Sequence, residues 1–138
     1  VVAFLSARRP AIWRVLSAWG PVAVMAGAIF FGSSRNWQGP AGGAAEVVLA
    51  KTVHVIEYAL LCALVRRALL KSGARHVAVP AFVLTVAYAA SDEIHQMFTP
   101  GRTPSPIDLI PDAIGALLAV FIAQRVSRRA LGKLAVRP

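Results

Sequence analysis

Acidic side chains are scarce in this sequence: six Asp and Glu stand against fifteen Lys and Arg in 138 residues, and charged residues make up only 15% of the chain. Ordinary soluble domains carry about 25% charged residues, which makes a water-soluble fold the weaker reading. A lone cysteine, Cys62, excludes any disulfide within the chain, and its neighbours Leu61, Ala63 and Leu64 mark it as a small buried hydrophobe. Short catalytic signatures are missing as well, with no HExxH, no Ser-His-Asp order and no phosphate-binding glycine loop. The formal charge of +9 would suit a nucleic-acid binder if the basic residues formed one stripe. They fall instead in short groups between apolar runs, so nucleic acid is not the expected partner.

What the chain has in excess is apolar length, with 57% hydrophobic residues and a mean hydropathy of +0.63. A bilayer core about 30 Å thick needs roughly 20 helical residues. Four segments meet that need in one domain spanning 1–138: 15–34, 46–65, 77–98 and 106–124, followed by a basic tail, 125–138. The first is uncharged over a run longer than the ~7–15 residues of a signal-peptide core, which predicts a retained helix. Gly-rich 36–45, the basic turn after Arg67 and the Pro-rich 99–106 read as the connections. Ser105 as N-cap, Pro106 at the first position and Asp108 three residues after the cap predict a capping box opening the fourth helix. The tail has the composition of an interfacial basic helix. Twelve Lys and Arg lie at the two ends of the chain and in the middle loop, against Arg35 and Arg102 in the other two loops. That bias predicts both termini inside and the loops holding Arg35 and Arg102 outside. The expected fold is therefore all-α, an integral membrane bundle of four transmembrane helices.

Polar residues interrupt three of these segments on the outer side. Lys51, His54, Glu57 and Tyr58 share a broad arc of the second helix, and Tyr88, Asp92, His95 and Gln96 an arc of the third, with Glu93 at its edge. Asp108 and Asp112 share a face at the start of the fourth. Charges in a bilayer cost about 2.5–3.5 kcal/mol each on insertion scales, so these groups are expected to face one another in a single interior site. Its carboxylates outnumber Lys51 and Arg102, which predicts protonated carboxyls or a bound cation. Plainer roles stand beside that expectation: Asp108 as a helix cap, Asp92 and Glu93 in headgroup water, Lys51 with Glu57 as a structural ion pair. Gly115 and Ala119 form a small-residue face suited to helix packing.

The string 51–61, containing Lys51, His54, Glu57 and Tyr58, resembles part of the VanZ-like family signature. So do Ser91-Asp92-Glu93 with Gln96 and Arg102, Asp108 with Asp112 and Gly115, and Ser33-Ser34 at the end of the first helix. The resemblance extends from the first helix to the fourth. It implies a multi-pass protein of the bacterial cytoplasmic membrane, in a family named for a protein that raises resistance to the glycopeptide teicoplanin. Asp112 departs from the pattern, since many members carry asparagine there.

Three functions fit these residues. The first is binding of an envelope component at the outer leaflet, such as a lipid-linked precursor or a glycopeptide. The second is an enzyme, in which the carboxylates and His54 could hold a divalent cation or perform acid–base chemistry on a phosphorylated or glycosylated lipid, with Lys51 and Arg102 on its headgroup. The third is a proton- or ion-coupled permease, which needs only the buried carboxylates.

Overall fold

A computed structural model describes residues 10–34, 43–99 and 106–135, the last five of these by backbone alone. Four α-helices follow one another: α1 (Ala11–Ser33), α2 (Ala44–Lys71), α3 (Ala78–Gln96) and α4 (Leu109–Ala135). A single 3-10 turn, Pro106–Asp108, leads into α4. The contacts fix an up-down-up-down arrangement. Ser33 at the end of α1 meets Asp92 near the end of α3, Lys51 near the start of α2 meets Asp108 before α4, and Ser17 meets Arg67 and Lys71.

Helices outlast the apolar runs that revealed them. Arg66 and Arg67 end the hydrophobic stretch of α2, but Arg, Ala, Leu and Lys all favour helix, so the backbone continues to Lys71. Gly73 stops it, at φ +89°, where the Gly73 amide bonds to the Leu70 carbonyl and the Ala74 amide to that of Leu69, both at 3.0 Å. This Schellman cap satisfies carbonyls that the helix end would leave unpaired. The basic tail is likewise no separate element, because α4 runs unbroken to Ala135.

α1, α2 and the stretch Pro106–Ala130 are long and apolar enough to cross a membrane. The expectation of four such spans needs correcting at α3. That helix has 19 residues, but Asp92, Glu93, His95 and Gln96 fill its last turns. Only 78–90, roughly 20 Å at 1.5 Å per residue, is apolar enough for lipid. The outer surface of the bundle is that of a lipid-facing protein, with Val24, Phe31, Val48, Leu117 and Phe121 all exposed.

The core is narrow: Ile29, Tyr58, Leu61, Cys62, Val65, Ala81, Ala89 and Ala116. α2 and α4 make its closest pairing. A Cβ on Gly115 would collide with the Val55 carbonyl oxygen and lie 3.0 Å from the Ala59 amide nitrogen, so the two backbones approach as closely as they do only because position 115 has no side chain. α1 is attached differently. Pro21 has no N–H, which leaves the Ser17 carbonyl without its helical donor. Arg67 and Lys71 of α2 donate to that oxygen at 3.2 and 3.5 Å.

Candidate functional site

The polar residues gather where α1 and α3 end and α2 and α4 begin. In the first group Asp92, only 2% exposed, accepts from the Ser33 hydroxyl at 2.7 Å and from the Gln96 amide at 2.9 Å. Gln96 reaches back one turn of its own helix, while Ser33 comes from α1, so the carboxylate joins α1 to α3. Beside it the Ser34 hydroxyl lies 2.6 Å from the Phe30 carbonyl and 3.0 Å from His95 Nε2. A hydroxyl has one proton, and with that proton given to the carbonyl, Ser34 accepts from an Nε2–H of His95. The His95 ring stacks on Phe30 with centroids 4.0 Å apart.

The second group joins α2 to α4. His54 Nδ1 sits 3.0 Å from Asp112 Oδ1, with the Asp112 side chain buried and that of His54 a quarter exposed. A proton on Nδ1 donates to the carboxylate and fixes the ring, as in histidine–carboxylate pairs of acid–base sites. Lys51 Nζ and Asp108 Oδ1 pair at 2.9 Å nearer the end of the bundle, both side chains over 40% exposed. Lys51 thus lies at the rim, and Asp108 serves it as counter-ion. The capping box cannot be followed, since Ser105 lies outside the described residues.

Tyr58 stands between the two groups. It is fully buried, its ring 6.2 Å from that of His54 and 6.4 Å from that of Tyr88. Asp112, Asp92 and Glu57 all lie within its electrostatic reach. Its hydroxyl has no hydrogen-bond partner among the described residues. Leaving such a group unpaired costs about 1–3 kcal/mol, a cost that a water or a ligand atom would relieve. The Tyr88 hydroxyl, by contrast, donates to the Ala26 carbonyl of α1 at 2.6 Å. Glu57 is half-buried within reach of His54, Asp112 and Asp92.

The structure therefore brings together His54, Glu57, Tyr58, Asp92, Gln96 and Asp112, with Lys51 and Asp108 at the rim. Glu93 is half-buried, next to Asp92 in the chain. Ser91 does not join them: it is exposed, and its hydroxyl returns to the Tyr88 carbonyl of its own helix. Arg102 lies outside the described residues. Among the described residues no three His, Cys, Asp or Glu side chains are grouped to hold a metal ion, so a divalent cation has no ready ligand set there. Phe30 is a member that sequence pattern gave no reason to single out.

These polar positions stand within the match of the chain to a family model. Residues 10–127 match the model described as VanZ/LLP1. The chain belongs to the VanZ/LLP1 family. No curated protein and no solved structure matches it. In this VanZ/LLP1 member the matched region takes in all four polar helix ends, from Ser33 to Asp112.

Proposed function

We propose that this VanZ/LLP1 protein binds the polar part of a lipid-linked envelope component at the outer leaflet of the bacterial cytoplasmic membrane. The observation that carries the reading is the Tyr58 hydroxyl, a buried donor without an acceptor among the described residues, set among three carboxyl groups. Helix packing alone gives no reason to keep that arrangement, whereas a ligand offering both an acceptor and hydroxyl or amino donors satisfies it. The purified chain in mild detergent is expected to retain or capture lipid-linked cell-wall precursor, read by mass spectrometry of the extracted lipids. Capture of plain phospholipid alone would sink the proposal. A bearing on glycopeptide resistance belongs to the same reading, since a protein holding such a precursor alters what a glycopeptide meets.

The His54–Asp112 pair favours a second reading, an enzyme using His54 in acid–base chemistry on the same class of lipid. Turnover of the captured lipid separates the two.

The orientation is part of the proposal and rests on the twelve-to-two basic bias. Cysteines at Gly42 and Thr103 in a Cys62→Ala background are expected to react with an impermeant reagent on intact cells, and a cysteine at Ser72 is not. Labelling at Ser72 would turn the polar site to the cytoplasm.

A further inference from the structure

The charges of this protein are segregated along the bundle. All six acidic residues, Glu46, Glu57, Asp92, Glu93, Asp108 and Asp112, lie between the polar end and the middle of the helices. The opposite end carries Arg14, Arg66, Arg67, Lys71, Arg75, Arg125, Arg128 and Arg129 without one acidic side chain to neutralise them. Their counter-anion must come from outside the chain.

At that end a groove of about 290 Å³ is lined by Arg66 of α2, His76, Val77, Ala78 and Val79 at the start of α3, and Gln124 of α4. Its basic neighbours are engaged elsewhere: Arg67 and Lys71 donate to Ser17, and Arg125 lies over the Phe121 ring at 4.8 Å. Arg66 faces the groove instead. Val79 is 72% exposed and Val83, one turn on, 54%, so an apolar strip leads away from the basic groove along the lipid-facing side.

We infer that this groove binds the phosphate headgroup of an anionic phospholipid, with Arg66 as its charged contact, His76 and Gln124 as further donors, and the acyl chains along Val79 and Val83. A guanidinium offers phosphate two parallel hydrogen bonds. A basic groove continuous with an apolar strip matches a lipid, whose charge and chains are covalently joined, better than it matches a free anion.

The test is the thermal stability of the full chain in a neutral mild detergent, with added phosphatidylglycerol, phosphatidylcholine or inorganic phosphate. Phosphatidylglycerol is expected to raise the melting temperature by on the order of 5 °C, and the other two to leave it unchanged. Arg66→Gln should abolish the rise, while Arg128→Gln, outside the groove, should keep it. Should Arg66→Gln not fold, His76→Ala, which removes a donor at an exposed position, is read in its place and should reduce the rise. An equal rise with phosphatidylcholine or with free phosphate, an undiminished rise in the groove variant, or equal loss in Arg128→Gln would each overturn the inference.

Discussion

Gly115→Ala is expected to destabilise the bundle by about 3 kcal/mol or more, at or beyond the upper end of overpacking costs, because the new methyl group meets backbone rather than a side chain that can turn away. The Val55 carbonyl and the Ala59 amide belong to a continuous stretch of α2, so relief requires the two helices to separate along their closest approach. Gly27→Ala is the matched control. Beyond its own helix backbone a Cβ there has no atom of the described residues within 4 Å, and alanine favours helix, so that variant should melt at or above the wild-type temperature. Melting of both variants in detergent, followed by circular dichroism, decides the matter. A Gly115→Ala protein as stable as wild type would show that α2 and α4 are not held at this distance.

Asp92→Asn should lower ligand binding by roughly 10- to 100-fold, the worth of a charge-assisted hydrogen bond, while leaving the melting temperature nearly unchanged. The stability half of this expectation comes from Gln96. An asparagine at 92 keeps one oxygen for Ser33, and its new NH2 finds an acceptor when the Gln96 amide turns over, so both bonds survive without the charge. Asp112→Asn is expected to be mild in both respects, since an amide oxygen still accepts from His54 Nδ1. Lys51→Met removes an exposed ion pair and should cost no more than about 1 kcal/mol. Binding measured with the captured lipid, beside melting of the same three variants, separates a functional charge at position 92 from a structural one. Full binding by Asp92→Asn would leave Asp92 as a tie between helices.

Three of the four helices, α1, α2 and α4, could be read from the sequence because an apolar run of bilayer length leaves few alternatives, whereas α3 forms as a helix but is too polar over its last turns to make such a run. The ends could not: α2 and α4 continue past the expected boundaries through mixed stretches in which Arg or Lys alternate with Ala and Leu, residues that favour helix but break the apolar run a hydropathy argument follows. The polar site was legible to the extent that it follows helical spacing. Lys51, His54, Asp92, Gln96, Asp108 and Asp112 recur at three or four residues on shared faces. Spacing fixes the face of a helix but not its rotation against neighbours. Ser91, a candidate through the family resemblance rather than through spacing, is exposed and bonded within its own helix. Lys51, expected in the interior site with the others, pairs instead with Asp108 at the rim. Phe30 could not be anticipated, since one aromatic residue among many apolar ones carries no signal until His95 is found against its face.

The way α1 is attached bears on how anything reaches Asp92. Of its 23 residues only Ala18, Ile29 and Ser33 are buried, and hydrogen bonds from Arg67, Lys71, Tyr88 and His95 into it, and from its own Trp19 and Ser33, supply much of its hold. Such bonds between membrane helices average about 0.6 kcal/mol each, so the six together contribute about 3.5 kcal/mol beside the packing of Ile29 and its neighbours. Opening α1 from α3 alone breaks three of them, those of Tyr88, Ser33 and Ser34, while the ties from α2 hold. A ligand anchored in the bilayer then needs no opening toward water. Under the proposed function it would arrive sideways between α1 and α3, while those three bonds are broken, and the ties that re-form behind it would shut the polar end against the lipid.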